Sequence, residues 1–396
     1  MHSILQSTDI LPAIFAHLDQ ADLARALRVC RLWNQWSDVL WSSLPTLTPM
    51  LDLLFPFMFT DTDDKYVRGV PLYQMDRQKL SKINRTIRHL DASYSSSKSL
   101  FEGYNPDIPR LLLDLCEPES SLFPRLVSLK TECRNDAEVL GVLPLLTPSL
   151  RSLTIVIHHA ATDYMHELLD GIGSNLQNLE CLDISYQAAP IARSSEAADG
   201  GPALRELDSY FYLPMIAPAL PRSLRTLCLP SACASIDALF NISRLPLLES
   251  LTFTGKWEVD MHEEEWPELE AGSFPTLGRL VVSDCSSRAV TGLLSVIPES
   301  TPLWEVEITL LEANELRELW AAFARFYGSI RRISTSYIGP DSSPIRAQDI
   351  SEGLAKCSKL EELTLNGQIE MSNEEFRALV DRLPHTCFVR MGEHRT

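Results

Sequence analysis

Leu150–Ile155 reads LRSLTI, and its spacing, leucine-x-x-leucine-x-apolar, returns along most of the 396-residue chain. Clear copies are LECLDI from Leu179, LRTLCL from Leu224, LESLTF from Leu248, LGRLVV from Leu277, LWEVEI from Leu303 and LEELTL from Leu360. Weaker ones are IRHLDA from Ile87, LVSLKT from Leu126, LRELDS from Leu204 and IRRISTS from Ile330. From Leu126 onward the starts are separated by 24, 29, 25, 20, 24, 29, 26, 27 and 30 residues. Within each copy inward residues such as Leu153 and Ile155 alternate with the small polar Ser152 and Thr154, the period-two pattern of a strand with one buried face.

Nearly all of those intervals fall in the range of about 20–29 residues that marks leucine-rich repeats. The segments between the strands carry helical periodicity. In EANELRELWAAFARF, Leu316, Leu319, Trp320, Phe323 and Phe326 share one face. In SNEEFRALVDRL, Ser372 and Glu375 form a candidate capping box ahead of Phe376, Leu379, Val380 and Leu383. Prolines at 124, 148, 221, 246, 275 and 302 stand just before strands, where a helix has to end. One repeat cannot fold alone. Burying three leucine-sized residues stabilises it by roughly 5–9 kcal/mol, whereas ordering about 26 residues costs on the order of 26–50 kcal/mol in backbone entropy. Stacked copies share a continuous core, so the predicted architecture is an α/β solenoid with a curved parallel sheet and outer helices. Residues 46–85 and 188–202 interrupt the pattern and read as a linker layer and a surface loop.

The 35 basic and 53 acidic residues give a net charge of −18. That argues against a nucleic-acid binder, which needs Lys and Arg to neutralise phosphates, and against an anionic membrane surface. The nine cysteines are an odd number and show no CxxC spacing, and several sit inside apolar patterns. Buried reduced thiols in a cytoplasmic and/or nuclear setting are the expectation.

The N-terminal stretch has its own logic. Two short helices are predicted, over roughly residues 9–18 and 22–39. In the second, Leu23, Ala26, Leu27, Cys30 and Trp33 form an apolar stripe, and Val29, Leu32 and Trp36 extend it onto a second face. Helices this small bury too little area to stand alone. The surplus apolar face calls for a partner surface.

The run TDILPAIFAHLDQADLARALRVCRLWNQWSDVLW resembles an F-box, the adaptor-binding module of substrate receptors in Skp–cullin–F-box ubiquitin ligases. The matching positions are Ile10, Leu11, Ile14, Phe15 and Leu18, then Asp22 and Leu23, then Val29, Cys30, Arg31 and Trp33, and finally Leu40 and Trp41. Gln6 and Ser7 stand where that family places Leu-Pro, and Pro12 falls within the first turns instead. The resemblance implies that Ile10, Leu11, Ile14, Phe15, Leu18, Leu23, Val29, Cys30, Trp33 and Trp41 bind a Skp-type adaptor and, through it, a cullin–RING ligase. It also implies that the repeats hold a protein substrate. The expected organisation is an all-α F-box at 1–44, a linker or adapter layer at 45–85 and a leucine-rich-repeat domain at 86–396.

No GxSxG, Walker, GxGxxG or HExxH motif is present, so no catalytic residue and no cofactor are expected. His158, His159, Asp163 and His166 lie close together, but their spacing fits no standard zinc pattern, and no metal is expected. WEVDMHEEEWPELE, residues 257–270, reads as a solvated acidic segment pinned by its two tryptophans. Outward strand residues include Glu206 and Asp208, and Tyr210, Tyr212 and Trp257 follow strand ends. Together with Glu263, Glu264 and Glu265 they form the candidate substrate surface, suited to a basic segment. The alternative reading is a repeat scaffold with no ubiquitin-ligase role, its N-terminal segment packed on its own array.

Overall fold

The computed structural model describes residues 14–15, 18, 22, 25–26, 29, 42–44, 46–47, 84–94, 100, 121–158, 164–187, 220–230, 236–255, 266, 269–312, 316–338, 345–367, 369–384 and 387–392. The chain divides into two compact units, Met1–Leu179 and Glu180–Thr396.

In the first unit the strands β1 (Ser43–Leu44), β2 (His89–Asp91), β3 (Ser128–Cys133) and β4 (Ser152–His158) pair in parallel in chain order. Helices α1 (Asp136–Val142) and α2 (Met165–Asn175) follow β3 and β4. The side chain of Asn135 caps α1 by accepting the Glu138 N–H at 3.0 Å, supplying one of the partners a helix start lacks. Ile87, Leu90, Leu126, Leu129, Leu150, Leu153 and Ile155 are all fully buried, as their alternation requires.

The second unit repeats the plan. Strands β5 (Cys181–Gln187), β6 (Thr226–Pro230), β7 (Ser250–Thr254), β8 (Arg279–Ser286), β9 (Glu305–Glu312) and β10 (Arg332–Tyr337) form one parallel sheet. Two-residue β11 (Ile345–Arg346) stands apart; β12 (Glu362–Asn366) and, after two-residue β13 (Ile369–Glu370), β14 (Phe388–Gly392) complete the sheet. The small strands β11 and β13 pair with each other. Among the described residues five helices intervene: α3 (Ile236–Ser243), α4 (Ser287–Val296), α5 (Leu316–Phe323), α6 (Ala347–Leu354) and α7 (Asn373–Val380). This is an α/β arrangement compatible with a leucine-rich-repeat-type fold. Leu227 and Leu251 are buried in register with each other, and Leu316, Leu319, Trp320, Phe323 and Phe326 all face the interior.

A single backbone device makes the copies stack. The carbonyl of the residue before each strand accepts two successive N–H groups from the next repeat. Glu249 and Ser250 donate to Arg225 O, Gly278 and Arg279 to Glu249 O, and Trp304 and Glu305 to Gly278 O, all at 2.8–3.0 Å. Arg331 and Arg332 then donate to Trp304 O, and Glu361 and Glu362 to Arg331 O. Each copy thereby satisfies polar groups that an isolated repeat would leave open.

Three features depart from the plain pattern. Asp284 has a left-handed φ of 57° and adds a residue to β8, shifting its register against β9 so that Val282 and Cys285 both turn inward. At the last helix Ser372 and Glu375 do form the capping box, at 3.2 and 2.8 Å, yet Phe376 is only partly covered and Val380 is exposed. Leu379 and Leu383 hold that helix instead. Strands β1 and β14 lie where no alternation predicted a strand.

Candidate protein-interaction surfaces

Ile14, Phe15, Leu18 and Val29 are the candidate adaptor residues that the structure describes; Ile10, Leu11, Leu23, Cys30, Trp33 and Trp41 lie outside the described residues. The four differ sharply in exposure. Phe15 is 1% exposed and is among the largest fully buried side chains, so it belongs to the interior of the first unit. Leu18 is half-buried. Ile14 and Val29 are 41% and 59% exposed, and among the described residues of this segment they carry the accessible apolar surface. Asp22 and Arg25 form an exposed ion pair at 2.6 Å. Such a pair adds little stability but keeps one helical face solvated.

The segment ends inside the sheet. Ser43 and Leu44 pair with His89 and Leu90, and Ser42 O accepts the Arg88 N–H at 2.9 Å. Arg88 O in turn accepts from Val127 and Ser128. The stacking device of the repeats therefore begins at residue 42, and Leu44 is buried with the repeat leucines. Residue 44, where the expected N-terminal segment ends, is the last residue of β1.

The second surface is the outward face of the sheet, whose residues alternate with the buried leucines. In the second unit its first row runs Ser250, Arg279, Glu305, Arg332, Glu362 and Phe388, each in register with the next. Four of these alternate in sign. Arg279 reaches Glu305 at 3.5 Å and Glu307 at 3.2 Å, while Arg332 and Arg390 both approach Glu362 at 3.8 Å. A row earlier, Arg225 pairs with Glu249 and Arg331 with Glu361. Cross-strand opposite charges stabilise a sheet by tenths of a kcal/mol each. Their larger effect is to leave the face polar and free of aggregation-prone apolar rows. In the first unit the same face pairs His158 Nε2 with Glu132 Oε2 at 3.2 Å.

Cys181, Cys228 and Asp183 also lie on this face, with Asp183 in register with Cys228. Burial, with the Asp183 carboxylate next, pushes the Cys228 thiol up to about 12. It is therefore protonated at neutral pH and a poor nucleophile. Burial likewise raises Cys285 to about 12 and Cys357 to about 11. The described cysteines are free thiols. Among the described residues no cluster of three or more metal-binding side chains occurs, and no helix is long and apolar enough to cross a membrane.

Glu206, Asp208, Tyr210, Tyr212, Trp257, Glu263, Glu264 and Glu265, the candidate substrate residues, lie outside the described residues. Trp266, which closes the acidic run, is described. Its indole lies against Gly292 of α4, where an added Cβ would stand 2.5 Å from Cζ2.

Residues 8–44 match the family of F-box-like domains. No curated protein matches the chain. The N-terminal segment is thus an F-box-like domain, joined through β1 to an array of parallel strand–helix repeats.

Proposed function

We propose that this chain is a non-catalytic substrate receptor of a cullin–RING ubiquitin ligase, acting in the cytoplasm and/or nucleus. Its F-box-like domain binds a Skp-type adaptor, and its repeats present a protein substrate. The observation that carries this reading is the exposure of Ile14 and Val29 within the F-box-like match. Apolar side chains open to water on so small a helical unit gain by burial against a partner, roughly 1.5–3 kcal/mol for each fully covered residue. Phe15 packs inside the first unit, whereas Ile14 and Val29 leave apolar surface that the array does not cover. The repeats suit a carrier role because their open sheet face is broad, polar and rich in long charged side chains. The acidic run near Trp266 favours a basic substrate segment there through electrostatic steering.

Co-purification with a Skp-type adaptor tests the proposal. Ile14→Glu and Val29→Glu together, or Trp33→Glu, should abolish adaptor capture while leaving the circular dichroism of the repeats unchanged. Adaptor binding that survives in every one of these variants would refute the assignment.

A further inference from the structure

At the strand-start edge of the second unit, three successive repeats enclose a cleft of about 550 Å³. Pro302 and Trp304 come from one repeat, Gly328, Ser329, Arg331 and Arg332 from the next, and Lys359 and Glu361 from the third. Three cations and one carboxylate line it. On a chain of net charge −18 that is a local reversal of sign.

The cations are available. Arg331 reaches Glu361 at 3.5 Å and Arg332 reaches Glu362 at 3.8 Å, with the partners between about a third and a half exposed. Ion pairs this long and this wet contribute little, so a better-placed carboxylate exchanges for them at small cost. Among the described residues Lys359 has no ion-pair partner. Arginine offers a planar fork that matches a carboxylate at two points. Trp304 supplies an aromatic wall: its indole lies against Gly278 on one side, and the Arg332 guanidinium sits 5.8 Å from its ring. It remains 39% exposed, so its free surface faces solvent. A tryptophan beside arginines is the composition on which binding energy concentrates at interfaces.

We propose that this cleft binds carboxylate side chains on an extended acidic segment of a partner protein. The volume is far larger than one anion needs and accommodates several residues. Glu361 on the cleft wall disfavours a doubly charged phosphate more than a singly charged carboxylate. The proposal deepens the reading of the repeats as the substrate-holding part and does not depend on adaptor binding, which is measured at the other end of the chain. It also implies a substrate of mixed charge, with an acidic stretch for this cleft and a basic one for the acidic run near Trp266.

Calorimetric titration of the full chain with a short poly-glutamate peptide tests it, with poly-glutamine and a phosphoserine-containing glutamine peptide as comparison arms. Poly-glutamate should bind saturably and one-to-one, fading as salt is raised, and poly-glutamine should not bind. Arg331→Gln with Lys359→Gln should weaken binding roughly tenfold. Trp304→Phe should weaken it less, and Lys130→Gln, outside the cleft, should change nothing. Lys359→Gln alone breaks no ion pair, so it keeps the test sound if the double variant loses its fold. Absence of saturable poly-glutamate binding would overturn the proposal. So would binding that ignores Lys359→Gln and Trp304→Phe, or binding confined to the phosphoserine peptide. Adaptor capture by Ile14 and Val29 variants is scored separately, so failure of the cleft is not mistaken for failure of the receptor role.

Discussion

The indole of Trp304 lies across Gly278 in the space a side chain at that position would need. A Cβ on Gly278 would stand 2.7 Å from Trp304 Cδ1, and nearer still to Nε1. The glycine immediately precedes β8 and the tryptophan immediately precedes β9, so one repeat leaves room for the next. Because Trp304 is partly exposed, it can swing away from an added methyl group. Gly278→Ala should therefore change thermal stability little and shift the emission of Trp304 to longer wavelength. An unchanged spectrum relative to the parent, with Trp304→Phe as the reference for its contribution, would show that the two residues do not touch.

Gly353 makes the opposite case. Its neighbour is backbone: a Cβ would lie 2.6 Å from the carbonyl carbon of Trp320, and closer to its oxygen. Helices α5 and α6 meet at this point, and neither main chain can rotate aside as a side chain can. Gly353→Ala should destabilise the second unit by about 1–3 kcal/mol, the usual cost of overpacking. Denaturant unfolding of the variant measures this directly, and a midpoint equal to that of the parent would contradict the close approach.

The buried thiols predict a stability limit at alkaline pH. Cys228 and Cys285 ionise near 9.0 when unfolded but are raised to about 12 in the folded chain. Below the unfolded value both states hold the proton, and these groups leave stability untouched. As pH rises from there, the unfolded chain loses protons first and gains relative to the native state. Stability should decline between about 9 and about 12. Replacing both cysteines with alanine should flatten that decline, as read from denaturant midpoints across the range.

The repeats were legible because their signal is local. Leu227 and Leu229, or Leu251 and Phe253, need only a period of two to declare an inward face; Leu224 and Leu248 stand three residues ahead of Leu227 and Leu251 in the repeat spacing, and all six are buried. The outward residues Arg279, Glu305, Arg332 and Glu362 could be named in the same way. Their alternation of sign could not, since it depends on which residue of one strand faces which residue of the next. Strand β1 was illegible for a related reason. Ser43–Leu44 is too short to show any periodicity, and it exists only because His89 and Leu90 offer it a ladder. Phe15 matches the F-box pattern as well as Ile14 does, yet one is covered and the other open, a difference set by tertiary packing. The cleft beside Trp304 assembles cations from Arg331, Arg332 and Lys359, whose scatter along the chain resembles any other surface charge.

The ladder that starts at Ser42 has a mechanical meaning. A flexible tether after the F-box-like domain would let its ends wander over roughly 5–6 Å times the square root of its length in residues. Here the domain's final residues are hydrogen-bonded to Arg88 and paired with His89 and Leu90, so that end of the domain cannot swivel about a single bond. Turning it would break several backbone bonds at once and uncover Leu44. Torque applied at the end of the F-box-like domain passes straight into β2 and β3.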